Sequence, residues 1–276
     1  MSFTQIQVTC DETTSELLIA EMSMIGYDVF EEKEDGFITS IDTAVYDAGG
    51  VSEIMDRYGA HFSIEWKATE IERINWNEEW EKNYQPVRVD DQVYVRATFH
   101  EPDPSCKYEI VIHPKMSFGT GHHATTYLML REQVEIDHQD KMVYDFGTGT
   151  GILAIMAGLK GAATIVANDV DDWCIDNSRD NLALNDVEAT LLLGPVAELN
   201  LTEKADIVLA NINKNILLQE MEQYVRLLKP GGLLLMSGFY ESDIPDLESH
   251  ATTLGLQKTR SATKNDWAVL VFRYDS

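Results

Sequence analysis

Three glycines at alternating positions, set between an apolar strand and a helix, constrain this chain more than any other feature. They stand in Tyr144-Asp145-Phe146-Gly147-Thr148-Gly149-Thr150-Gly151. Met142 to Phe146 reads as a buried strand and Ile152 to Leu159 as a helix, the turn residues separating two apolar runs. Glycine is needed at such a junction where the backbone takes positive φ or where a Cβ would hold a ligand away. The alternation then continues. Thr164 to Asn168 reads as extended, Trp173 to Leu184 as helical, and Ala189 to Leu193 and Ala205 to Ala210 as extended. Asn215 to Leu228 is helical, Leu233 to Met236 extended after Pro230-Gly231-Gly232, Ile244 to Leu254 helical, and 256–262 and 267–273 are closing strands. Strands alternating with helices predict an α/β, Rossmann-like domain with a mostly parallel sheet covered on both faces. Its ligand belongs beyond the carboxyl ends of the strands.

The first part of the chain follows a different rule. Phe3 to Val8 alternates apolar and polar residues, as a half-buried strand does. Leu17, Leu18, Met22 and Ile25 keep helical spacing up to Gly26. Tyr27 to Glu31 and Phe37 to Ile41 flank the polar turn Lys33-Glu34-Asp35-Gly36, Ala48 to Tyr58 is helical, and His61 to Trp66 is strand-like. The order β-α-β-β-α-β is that of a small ferredoxin-like α+β domain. The expected division is a first domain over 1–67, a helical linker over 68–86 and a second domain over 87–276. Trp76 and Trp80 lie on one face of the linker helix, which Pro86 stops, and read as packing residues rather than a ligand site. Val87 to Val89, Val93 to Arg96 and Ile110 to Ile112 read as short strands.

Acidic residues outnumber basic ones by 47 to 21, for a formal net charge of −26. Such a surface repels phosphate backbones, and no Lys/Arg-rich run supplies a basic patch, so no direct nucleic-acid partner is expected. A basic protein would be attracted over long range, although the same charge also serves solubility. Cys10, Cys106 and Cys174 show no C-x-x-C spacing, so a reduced, cytoplasmic chain without a metal site is expected. Met1 to Gln5 carries no basic-then-apolar leader, and no apolar run reaches bilayer length, so neither a signal peptide nor a membrane span is expected.

The glycine loop alone leaves two cofactors open. Gly149 to Ala154 fits the G-x-G-x-x-A pattern of nicotinamide dinucleotide binding. Against that, Asp145 and Asp169 set carboxylates beside a loop that has no basic residue. A pyrophosphate is disfavoured there, whereas the ammonium and sulfonium of S-adenosylmethionine are favoured. Asp169 follows the second strand, where a carboxylate can accept both ribose hydroxyls of an adenosine. Upstream, Phe118-Gly119-Thr120-Gly121-His122-His123-Ala124-Thr125-Thr126 leads into a helix. A threonine there either caps the helix or belongs to a segment folded over the cofactor. Of the adjacent His122 and His123, one is expected to be a satisfied polar residue and the other solvent-facing. Downstream, Val208-Leu209-Ala210-Asn211-Ile212-Asn213 ends a strand at the ligand crevice. There Asn211 contacts the cofactor, orients an amine, or closes an Asx-turn.

These segments together resemble the PrmA family, the methyltransferases of large-subunit ribosomal protein L eleven. Residues Phe118 to Thr126 are similar to its F-G-T-G-x-H-x-T-T signature, Asp145 to Ala154 to its D-x-G-x-G-x-G-I-L-A loop, and Ala210-Asn211-Ile212 to its A-N-I. Trp76 and Trp80 resemble its linker. Ala124 stands where many members have proline and Thr148 where many have cysteine; neither change removes a needed group. The resemblance implies a class I, Rossmann-like, S-adenosylmethionine-dependent methyltransferase domain of seven strands behind an N-terminal substrate-recognition domain. It implies methyl transfer to lysine side chains and the N-terminal amine of that large-subunit ribosomal protein. It further implies that Thr126, Gly147, Asp169 and Asn211 contact the cofactor. No general base is evident in the motifs, so no catalytic residue is assigned. The runner-up is a methyltransferase acting on another protein or a small amine, and behind it a nicotinamide-dependent oxidoreductase.

Overall fold

The computed structural model describes residues 2–72, 84–113 and 121–275. The chain divides into two compact units, Met1–Asn83 and Tyr84–Ser276. The first contains β1 (Ser2–Thr9), α1 (Glu12–Met24), β2 (Phe30–Lys33), β3 (Gly36–Asp42), α2 (Ala48–Gly59) and β4 (Glu65–Glu72). Its antiparallel sheet has the order β2-β3-β1-β4, the ferredoxin-like arrangement. Ile6 and Val8, on one face of β1, bury against Leu18 and Met22 of α1 and Val51, Ile54 and Met55 of α2. Asp11 starts α1 by accepting the Thr14 N–H at 2.9 Å.

One boundary differs from the sequence expectation. The last strand runs Glu65–Glu72, not from His61, and takes in residues 68–72 that the expected linker claimed. It pairs along the whole of β1, from Thr9↔Glu65 to Ser2↔Glu72, and that ladder overrides the weak apolar alternation around His61. The expected linker helix with Trp76 and Trp80, and Phe118-Gly119-Thr120, lie outside the described residues.

The second unit opens with β5 (Val87–Val89), β6 (Val93–Ala97) and β7 (Tyr108–Ile112), a small sheet in which β6 pairs antiparallel with β5 and parallel with β7. After α3 (Ala124–Glu135) come β8 (Met142–Phe146), α4 (Ile152–Leu159), β9 (Thr164–Asp169), α5 (Asp172–Leu184) and β10 (Thr190–Leu193). The chain continues with β11 (Ala205–Asn211), α6 (Lys214–Arg226), β12 (Leu228–Tyr240), α7 (Ile244–Thr253), β13 (Leu256–Lys264) and β14 (Trp267–Tyr274). The large sheet has the order β10-β9-β8-β11-β12-β14-β13, with β14 antiparallel to both neighbours.

Both faces are buried, which is why Ile207 to Ala210 of β11 reads as an unbroken apolar run. Ile207 and Leu209 pack on one face with Val143, Leu235 and α4; Val208 and Ala210 pack on the other with Leu217, Met221 and Tyr224 of α6. Phe146 stacks between Tyr144 and Tyr224, with ring centroids 5.3 and 5.0 Å away, and so seats α6 on the sheet. The strand expected from Leu233 begins earlier, at Leu228. Leu228 pairs with Ala205 and Leu233 with Ile207, so Lys229-Pro230-Gly231-Gly232 bulges out of a continuing strand instead of preceding it. Chain order runs outward from β8 to β10 on one side and restarts at β11 on the other. The switch point therefore lies between β8 and β11, at the end of the glycine loop's own strand.

Candidate active site

The glycine loop leaves β8 with positive φ at each glycine: +69° at Gly147, +57° at Gly149 and +80° at Gly151. A Cβ on Gly147 would stand 2.7 Å from Cγ1 of Ile212, so the loop and the end of β11 meet where only glycine fits. Thr148 ties the loop down twice. Its hydroxyl donates to Oδ2 of Asp145 at 2.7 Å and its N–H to the Asn168 carbonyl at 2.9 Å. Asp169 holds it from the neighbouring strand, Oδ2 accepting the Gly149 N–H at 2.9 Å and Oδ1 the Asp171 N–H at 3.2 Å. Burial pushes the Asp145 carboxyl up to about 7, against the pull of the Thr148 hydrogen bond.

A cavity of about 710 Å³ opens beyond the carboxyl ends of β8, β9 and β11. Gly147, Asp169 and Asn211, one from each strand end, line it together. Thr126 does not; its neighbour Thr125 lines the cavity instead, while Thr126 sits fully buried in the first turn of α3 with Oγ1 lacking a hydrogen-bond partner. Oδ1 of Asn211 is likewise buried without a partner. The Asx-turn role goes to Asn213, whose side chain accepts the Ile216 N–H at 3.2 Å and caps α6. Asn211 is thus released from the turn, and a buried acceptor without a partner belongs to a ligand or carries a cost.

Two residues of the wall are not expected there from sequence: His123 reads only as one of a polar pair, and Trp267 only as part of a closing strand. His123 and Trp267 line the cavity and meet edge-to-face, ring centroids 4.6 Å apart, with Tyr240 against the indole at 4.3 Å. His123, not a threonine, caps α3: its Nδ1 accepts the Thr125 N–H at 3.3 Å and lies 2.7 Å from Thr125 Oγ1. Burial depresses the His123 pKa. His122 is exposed, with Nε2 2.8 Å from the Gln85 carbonyl. Trp267 arrives from β14, and no local pattern marks it. Gly238 also lines the cavity; at φ +97°, and with a Cβ there only 2.3 Å from the Ile212 carbonyl oxygen, the position requires glycine.

The charge of the cavity answers the question the glycine pattern left open. Among the described residues that line it are Asp169, Asp171 and Glu220, and neither lysine nor arginine. A pyrophosphate would find no counter-charge, whereas a cationic ligand is favoured. Phe146, Ile152 and Val196 supply apolar wall for a flat base.

A seven-stranded sheet in this order, with its cavity at the switch point, is the fold of a class I, S-adenosylmethionine-dependent methyltransferase. The sequence pattern described as ribosomal protein L11 methyltransferase (PrmA) matches residues 4–275, and the chain belongs to that family. It is 41% identical over 266 residues to the ribosomal protein L11 methyltransferase of Phocaeicola vulgatus, covering 95% of each chain. It is 42% identical over 268 residues to that of Porphyromonas gingivalis, covering 96% of this chain and 92% of the relative. The crystal structure of a ribosomal protein L11 methylase from Lactobacillus delbrueckii subsp. bulgaricus superposes with a TM-score of 0.64 at 25% identity, covering 70% of this chain and 100% of that one. Family membership does not favour the oxidoreductase reading that the Gly149 to Ala154 spacing allowed.

Proposed function

We propose that this chain transfers methyl groups from S-adenosylmethionine to amino groups of ribosomal protein L11, both lysine side chains and the N-terminal amine. The observation that carries the reading is a switch-point cavity offering acid and the unpaired Asn211 Oδ1 but neither lysine nor arginine among its described lining. When bound, S-adenosylmethionine supplies a methyl on a sulfonium that departs as a neutral thioether. The protein's part is placement. Gly147 lets backbone approach the ligand without a Cβ in the way, and Asp169 keeps lone pairs for ribose hydroxyls beyond the two N–H groups it already accepts. The free acceptor of Asn211 is the third proposed contact; the partnerless Thr126 hydroxyl, the fourth by its motif position, sits one residue behind the wall that Thr125 forms. His123 and Trp267 give the cavity aromatic wall, and desolvation against it would favour loss of the proton from an incoming lysine ammonium. Held in line, amine and methyl need little further help, and no general base is assigned.

The first unit is proposed to recognise the substrate and the following segment to link it to the methyltransferase unit. The net charge of −26 suits a basic ribosomal protein and disfavours direct nucleic-acid contact. No helix among the described residues is long and apolar enough to cross a membrane, and a cytoplasmic location is proposed. The test is incubation of the chain with S-adenosylmethionine and free L11, followed by mass measurement. Added methyl masses are expected on L11, and their absence overturns the substrate. Calorimetric titration with S-adenosylhomocysteine and with NAD checks the cofactor, and binding of NAD alone overturns it.

A further inference from the structure

The buried face of α5 carries Asn177, Ser178 and Asn181 beside Ile175 and Leu182, where an amphipathic helix places apolar residues throughout. Ser178 and Asn181 are both 0% exposed. The Ser178 hydroxyl donates to the Gly149 carbonyl at 2.8 Å, and the Asn181 amide donates to the Thr150 carbonyl at 2.8 Å. The other end of the same carboxamide, Oδ1 of Asn181, accepts the N–H of His113 at 2.7 Å, just after β7. One turn on, Asn185 bonds β7, its Oδ1 accepting the Val111 N–H at 2.8 Å and its amide donating to the Val111 carbonyl at 2.6 Å, and within the helix its amide also donates to the Asn181 carbonyl at 2.7 Å.

Buried polar side chains are costly unless satisfied, and apolar residues would pack this face at less cost. The bonds they make have a consequence for the loop. A glycine adopts either sign of φ with little preference, so the glycines by themselves do not fix which way their peptide planes face. Ser178 and Asn181 remove that freedom by holding two consecutive carbonyls, those of Gly149 and Thr150, against α5. The Gly149 N–H is left to Asp169 on the opposite side.

We propose that Ser178 and Asn181 are positioning residues for the methyl transfer: they fix the peptide planes of the glycine loop, and Asn181 sets that loop in register with the end of β7. The proposal rests on the reading that the loop holds S-adenosylmethionine. Neither side chain needs to touch the cofactor; both act through the backbone that does. The shape of the loop is thereby preorganised, so that binding does not have to order it.

The test uses the full chain and S-adenosylhomocysteine, with affinity by calorimetry, thermal midpoint, and separate KM values for S-adenosylmethionine and L11. Asn181→Asp keeps an acceptor for His113 but sets a carboxylate oxygen against the Thr150 carbonyl. It is expected to bind S-adenosylhomocysteine about tenfold more weakly and to raise KM for S-adenosylmethionine alike, with KM for L11 little changed. Protection of the His113 amide against hydrogen exchange is expected to persist. Ser178→Ala removes only the Gly149 bond and covers the case in which Asn181→Asp does not fold; affinity is expected to fall about threefold. Asn185→Leu loses its β7 bonds and is expected to lower the thermal midpoint without changing affinity. Asn181→Asp and Ser178→Ala binding as tightly as wild type overturns the proposal. So does an Asn185→Leu loss of affinity equal to that of Asn181→Asp, which marks the seam as merely structural. If wild type fails to bind S-adenosylhomocysteine, the cofactor reading itself falls, and the proposal with it.

Discussion

Gly147→Ala isolates what the glycine loop demands. Two effects add. An alanine at φ +69° occupies the left-handed region, at a cost of roughly 1–2 kcal/mol. Its Cβ would also stand 2.7 Å from Cγ1 and 2.9 Å from Cδ1 of Ile212. Ile212 is partly buried and lines the cavity between Asn211 and Asn213, so relieving that overlap moves the cavity wall. Overpacking of this kind costs roughly 1–3 kcal/mol. Together they predict a loss of about 3 kcal/mol, which for a unit of this size lowers the thermal midpoint by about 6–12 °C. S-adenosylhomocysteine affinity is expected to fall more than tenfold, about 1.4 kcal/mol or more, as Asn211 shifts with Ile212. The control is Gly231→Ala, at φ +78° with nothing within 4 Å of the added carbon. It pays the left-handed strain alone and leaves affinity unchanged. Scanning calorimetry and ligand titration on the two variants read both quantities. Equal losses in both, or an unchanged Gly147→Ala, refute the reasoning that Ile212 and the loop are built against each other.

Asn211→Ala is expected to reduce kcat/KM at least about a hundredfold with no fall in thermal midpoint, because the buried oxygen it removes bonds nothing in the fold; steady-state kinetics beside a melting curve decides. Asp145 has its pKa raised from 3.8 to about 7 by burial, so its contribution to stability is present below 3.8 and lost as pH rises through 7, a loss of about 4 kcal/mol. Asp145→Asn therefore gains more in melting temperature over wild type at pH 8 than at pH 5, and a pH-independent difference contradicts this. His138 works at the other end: buried, with Nδ1 2.9 Å from the Ile136 carbonyl, its pKa falls from 6.5 to about 4. Its contribution is complete above 6.5 and lost as pH falls through 4, about 3 kcal/mol, so His138→Gln is expected to flatten the acid limb of the melting-temperature profile.

Much of the fold was legible because its signals are local. The run Met142 to Phe146 and the helix Ile152 to Leu159 are the observed β8 and α4, since a buried strand and a buried helix each declare themselves by apolar length and the glycines mark the join. The ferredoxin-like order of the first unit was equally readable, apart from β4, whose position is set by pairing with β1 rather than by its own residues. The turn residues Pro230-Gly231-Gly232 misled for a related reason. They signal a break in the chain's direction, but the ladder to β11 resumes on their far side. Thr126 was placed by motif alone, and the motif does not resolve which of two adjacent threonines faces the cavity. Ser178 and Asn181 could have been found, because polar residues at helical spacing on a face that should be apolar are visible in the sequence.

Local sequence signals sufficed for the class of fold, the strand ends that matter and three of the residues gathered there, Gly147, Asp169 and Asn211. Asp169 and Asn211 end their strands and Gly147 directly follows its own; in a parallel sheet strand ends share one edge, so position along the chain translates into position in space. Tertiary structure alone decided what closes the cavity. Trp267 comes from an antiparallel strand, His123 caps α3 in the cavity wall, and Gly238 is required by the Ile212 backbone just beyond β11. These contacts join residues that no period links, and their geometry exists only once the sheet has fixed which strands are neighbours.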